Sequence, residues 1–128
     1  MKIEMKVIEA DAPEPIPEGL YLAKVADITE GSGEYGEYLR FVFEITDGEY
    51  IGITRNEIAS KKLSKTRSGK TSKLYGFVKS LTGREPEPGS VIDIAGLIDK
   101  PCQILVKNDK EVEGIMYQRI ESVLPPQK

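Results

Sequence analysis

The chain has 128 residues, 39% of them hydrophobic and 30% charged, with a formal net charge of −3. That length suits one domain with a real core, and no apolar run approaches the roughly 20 residues of a membrane helix. Histidine is absent and Cys102 is the only cysteine. These absences exclude the Ser-His-Asp triad, His-based acid–base chemistry, His-ligated metals, an internal disulfide and a zinc site built on cysteine alone.

The lack of histidine favours a binding protein over an enzyme, and neither a cofactor nor a metal is expected. The N-terminus has no apolar core of the kind a secretory signal needs, so the expected location is cytoplasmic. Charge is unevenly spread. Residues 1–37 carry nine acids against three lysines, a net −6, which leaves +3 for the remainder. An acidic head ahead of a basic body points weakly toward nucleic acid.

Residues 11–19, DAPEPIPEG, alternate proline with acids. They predict an extended lead-in, so the expected organisation is a segment 1–19, a domain 20–124 and a tail 125–128. Leu20 to Ile28 reads as the first strand. TEGSGEYGEY supplies Gly31, Gly33 and Gly36 for a hairpin connection. Tyr38 to Ile45 is the second strand and has the clearest alternation in the chain. Leu39, Phe41, Phe43 and Ile45 should face a core, with Tyr38, Arg40, Val42 and Glu44 outward.

Asp47-Gly48 predicts a tight turn. EYIGIT then reads as a third strand with Ile51 and Ile53 inward and Tyr50 outward. Leu74, Phe77, Val78 and Leu81 recur at helical spacing, with Thr71 or Ser72 to cap the start and Gly83 the end. Val91 to Ile94 is a short strand or extended piece. Cys102 to Asn108 alternates as a fourth strand with a buried, inert thiol. Ile115 to Val123 is the last strand, and a bulge is needed to bring its apolar residues to one face. Three strands, a helix and two strands form the layout of a five-stranded OB-fold barrel, an all-β class with one helix. A small β-sandwich with one helix fits the same order.

Between the third strand and the helix lies the stretch Arg55 to Lys73, RNEIASKKLSKTRSGKTSK. It carries Arg55, Lys61, Lys62, Lys65, Arg67, Lys70 and Lys73 against one acid, Glu57. Its Ser, Thr and Gly spacers predict a mobile loop able to neutralise phosphates. Tyr38, Arg40 and Tyr50 on the outer sheet face, with Tyr35 in the Gly-rich turn, are the candidate platform for stacking bases. Tyr75, Tyr117 and Arg119 are weaker candidates. Ser68 to Thr71, SGKT, matches the end of a P-loop, but the glycine required five residues before Gly69 is Ser64, so a nucleotide hydrolase is excluded. Glu85 and Glu87, or Asp93 and Asp99, read as solvated surface acids rather than a catalytic pair.

The segments GLYLAKVADI, YLRFVFEITDGEY, SKLYGFVKSLTG, PGSVIDI and LIDKPCQILV resemble small OB-like proteins of phages and their hosts, over residues 19–124. The resemblance implies a single-stranded DNA-binding protein of replication or recombination, in the host cytoplasm if viral, with RNA as a possible ligand and replication or recombination proteins as partners. Bacterial single-strand-binding proteins typically end in an acidic tail that recruits partners; here no acid follows Glu121, so tail-mediated recruitment is not expected. The alternative expectation is an OB-like protein-interaction module that binds no nucleic acid.

Overall fold

A computed structural model describes residues 15–34, 36–64, 66, 68–87, 89 and 91–126. The elements are β1 (Gly19–Gly33), β2 (Gly36–Ile45), β3 (Thr54–Ser60), α1 (Lys73–Thr82), a 3-10 turn (Ala95–Leu97), β4 (Pro101–Val112) and β5 (Ile115–Leu124). All five strands join one antiparallel sheet in the order β3-β2-β1-β4-β5. Among the described residues no helix is long and apolar enough to cross a membrane.

The alternation read in β2 is the one the structure uses. Leu39, Phe41, Phe43 and Ile45 are buried. Cys102, Ile104 and Val106 of β4 line the same interior. Phe41 and Phe43 stack at 6.0 Å, and Phe77 of α1 meets both edge-on at 5.1 and 6.0 Å. Edge-to-face rings complement each other's quadrupoles, which fixes how the helix seats on the sheet. The Ser72 side chain caps α1 by accepting from Tyr75 N, and Gly83 ends it at φ 76°. A left-handed residue at that point favours glycine.

The third strand is not where the alternation of EYIGIT places it. Residues 47–52 form turns, and β3 begins at Thr54. Gly48 and Gly52 have φ of 87° and 90°, a backbone that ends extended structure, and Gly52 N donates to Ile45 O at 2.8 Å. Ile51, expected inward, is 63% exposed. Of the two readings of Val91 to Ile94, a short strand or an extended piece, the strand does not form. In β5, Ile120 and Val123 both reach the core because the β4–β5 register shifts between Leu105 and Val106, the expected bulge.

A closed barrel was expected, and the sheet is instead open at the backbone level. Among the described residues no ladder joins the edge strands β3 and β5. Side chains bridge them. The Glu57 carboxylate accepts from Ile120 N at 3.0 Å, doing for the β5 edge what a backbone carbonyl would do in a ladder. Two residues earlier Arg55, 8% exposed, donates Nε and Nη2 to Gln118 Oε1 at 3.2 and 3.0 Å. The same Gln118 oxygen accepts from Ile16 N at 3.1 Å. Its Nε2 donates to Ile16 O at 2.7 Å and to Asn108 Oδ1 at 2.8 Å. Turning the amide over would set N–H groups against the guanidinium, so the network selects one orientation. Ile16, assigned by sequence to the lead-in, is thereby drawn into the core at 4% exposure.

Burial holds the Arg55 guanidinium below its ordinary value, with the nearby Tyr21 phenol opposing that shift. A buried cation of this kind depends on its acceptors. Gln118→Ala removes one acceptor shared by three donors and two donated bonds, and is expected to lower unfolding free energy by about 2–4 kcal/mol in a urea titration.

Burial pushes the Cys102 thiol from its ordinary 9.0 up to about 12. Between those values the unfolded chain releases the proton while the folded chain keeps it. Stability therefore falls as pH rises through that window, by up to about 1.4 kcal/mol per unit from this group. Urea titrations at successive alkaline pH values should show a shallower decline for Cys102→Ala than for the wild type.

Candidate nucleic-acid interface

The outward residues of β2 form the spine of the site. Arg40 lies between Thr29 of β1 and Ile58 of β3, and Tyr38 between Gly31 and Ser60. Arg40 is exposed, and Ile58 is 40% exposed. Together with Asn56 and Glu57 they line a shallow depression of about 410 Å³. The Tyr38 ring lies against Gly31, where an added Cβ would sit 2.5 Å from it. A bare glycine opposite an aromatic lets the ring cover the β1 backbone, which is why Tyr38 is only half-exposed.

The chain leaves β3 at Ser60, the cross-strand partner of Tyr38, so the cationic stretch starts at that end of the face. It is shorter than the sequence predicts. Its first six residues belong to β3, and Lys73 belongs to α1. The described residues between them form a small hydrogen-bonded excursion. Thr66 N donates to Lys70 O at 2.8 Å, Ser72 N donates to Ser64 O at 2.9 Å, and the Ser72 hydroxyl donates to Lys62 O at 2.6 Å. Gly69, at φ 90°, supplies the reversal at its tip. SGKT forms part of this turn.

The predicted cations fall into distinct settings. Arg55 is corrected from loop cation to bridge across the β3–β5 seam, where its guanidinium is already engaged by Gln118 and by Thr54 O at 2.8 Å. Lys73 reaches back to Glu57 at 2.9 Å and lies 5.9 Å from the Phe77 ring centre. Lys61 faces Glu30 at 3.6 Å and Glu37 at 3.5 Å, both exposed acids of the β1–β2 hairpin. Such exposed pairs contribute about 0–1 kcal/mol and exchange readily. Lys62 and Lys70 are exposed and have no ion pair among the described residues. Tyr35, Lys65 and Arg67 lie outside the described residues.

Tyr50, expected on the outer face, is in the turn before β3. It is half-buried and meets Tyr21 edge-on at 6.0 Å. Burial raises the Tyr21 phenol above its ordinary value, with Tyr50 adding to the shift and Arg55 opposing it. Tyr75 is buried in the core. The platform thus reduces to Tyr38 and Arg40, joined by Asn56 and Ile58. Sequence reading missed those two because it placed the third strand too early. The alternation of RNEIAS, with Asn56 and Ile58 out of phase with Arg55, Glu57 and Ala59, was the available signal.

The β4–β5 hairpin offers a second exposed surface. Beyond Val106, β4 has no β1 partner and runs on with β5 alone. There Lys110 faces Tyr117 across the strands, and Val112 faces Ile115, with Val112, Ile115 and Tyr117 all exposed. Among the described residues no three His, Cys, Asp or Glu side chains gather as a metal site. No protein-family model matches this chain, and no curated protein matches it.

Replacing Gly31 with alanine is expected to displace the Tyr38 ring with little loss of stability. Increased quenching of tyrosine fluorescence by iodide would report the newly exposed ring, and unchanged quenching would contradict the packing described.

Proposed function

We propose that this protein binds single-stranded nucleic acid, DNA in the first instance, with little regard to sequence, across the outer face of β2 and β3. The observation that carries the reading is the junction at Ser60, where the outward Tyr38–Arg40–Ile58 surface, its tyrosine half-exposed, runs directly into the cationic excursion bearing Lys62 and Lys70. An aromatic ring and a guanidinium on a sheet, continuous with a phosphate-reaching loop, are the parts such binding needs. We further read the sheet as an OB-type barrel with its last seam bridged by side chains. In support, the edge strands β3 and β5 approach each other through Glu57–Ile120 and Arg55–Gln118, and the helix lies between β3 and β4 in the chain. The sequence resemblance to phage and host single-strand-binding proteins supports the same reading, and with it a role in replication or recombination. No enzymatic activity is proposed.

Arg40, Lys62 and Lys70 would take phosphates, while Tyr38 would stack a base at about 1–3 kcal/mol. Lys61 would trade Glu30 and Glu37 for phosphate oxygens. Because the chain as a whole is acidic, the attraction is local and strongly screened by salt.

A fluorescence titration with oligo-dT at low and moderate salt tests the proposal. Affinity should fall steeply with salt, and Arg40→Ala or the pair Lys62→Ala and Lys70→Ala should each weaken binding about tenfold on every sequence tried. Absence of binding at low salt would refute the proposal. It would favour the protein-docking alternative, to which the exposed apolar residues of the β4–β5 hairpin also lend themselves.

A further inference from the structure

The outer wall formed by β1, β4 and β5 carries a block of leucines that the nucleic-acid reading does not use. Register places Leu20 directly across from Leu105. In the next outward row Leu22, Gln103 and Leu124 lie side by side on the three strands. Leu20 is 51% exposed and Leu124 38%, while Leu22 and Leu105 are half-buried against their neighbours. Gln103 turns its amide away to donate to Pro125 O at 2.9 Å, which leaves its aliphatic stem in the block. Cross-strand leucines gathered on an outer sheet face form a contiguous apolar surface rather than scattered exposure.

We propose that this wall is the contact between two copies of the chain, packed face to face about a two-fold axis near Leu20 and Leu105. The charges around it select that occupant. At one end Lys24 pairs across the strands with Glu44 at 4.0 Å. At the other, Arg119 meets Asp109 at 3.9 Å and Glu121 at 3.8 Å, with Lys107 as its cross-strand neighbour. With Glu18, whose carboxylate accepts from Asn108 N at 2.9 Å, the described rim mixes three cations with four acids, so it offers no cationic surface to a polyanion. A two-fold rotation exchanges the ends. It lays Glu44 of one copy toward Lys107 of the other and sets leucine against leucine, a self-complementary arrangement. The block is small beside a standard interface of about 1,600 Å², so the dimer is weak and concentration-dependent. The contact leaves the β2–β3 face of each copy open and does not depend on whether that face binds nucleic acid.

Sedimentation velocity on the full chain over a concentration series tests the proposal. The wild type should shift from monomer toward twice the monomer mass as concentration rises. Leu20→Glu and Leu124→Glu, both at exposed positions, should stay monomeric with unchanged circular dichroism. Leu20→Cys should form an intermolecular disulfide under mild oxidation, since Cys102 is buried and inert. A wild type that stays monomeric throughout, or a dimer that survives both glutamate substitutions, overturns the proposal.

Discussion

The carboxamide of Gln118 is the contact on which the rest of this structure leans. One oxygen accepts from Ile16 N and from two nitrogens of Arg55, and one nitrogen donates to Ile16 O and Asn108 Oδ1. Through those bonds a single side chain ties the last strand to the third and draws the lead-in over the interior. It also anchors the base of the β4–β5 hairpin at its second register shift, beside Asn108. Glu57 repeats the device two residues along β3, reaching Ile120 N and Lys73. Polar groups inside a fold are costly unless satisfied, and here no buried side-chain nitrogen or oxygen among the described residues lacks a partner. The seam therefore closes with side chains where a ladder would otherwise run.

The candidate interface inherits its shape from that closure. Because Arg55 and Glu57 turn toward the seam, Asn56 and Ile58 turn outward beside Arg40. The same alternation brings β3 to its end at Ser60 next to Tyr38, so the cationic excursion emerges where the aromatic ring lies. Lys73 and Lys61 flank it in ion pairs with Glu57, Glu30 and Glu37. The acids limit how much positive field the loop projects, so the proposed grip on nucleic acid would be local and reversible.

Much of this was legible in the sequence where burial is simple. The β2 alternation, the helix with its Ser72 and Gly83 caps, and the inward Cys102, Ile104 and Val106 follow directly from apolar spacing. The third strand was not legible, because its inward positions are Arg55, Glu57 and Ala59. An arginine and a glutamate facing inward invert the polarity rule that period-two reading relies on. EYIGIT won instead on β-branched content, although Gly48 and Gly52 adopt a backbone that breaks a strand. Arg55 was misassigned for the same reason. In sequence it is one cation among seven, and only the fold separates a buried bridge from a surface charge. The hydrogen bonds among Lys62, Ser64, Thr66, Lys70 and Ser72 are not legible in the sequence, since serines and threonines read as spacers until their partners are known.

The most direct check on the proposed interface is residue-resolved. An amide chemical-shift titration of the isotope-labelled chain with oligo-dT at low salt should perturb Tyr38, Arg40, Asn56, Ile58 and the residues from Lys61 to Lys70 first and most strongly. The core amides of Phe43 and Ile104 should stay in place. Perturbations confined to the groove between α1 and the end of β5, around Gly76, Ser80 and Val123, or none at all, would contradict the account.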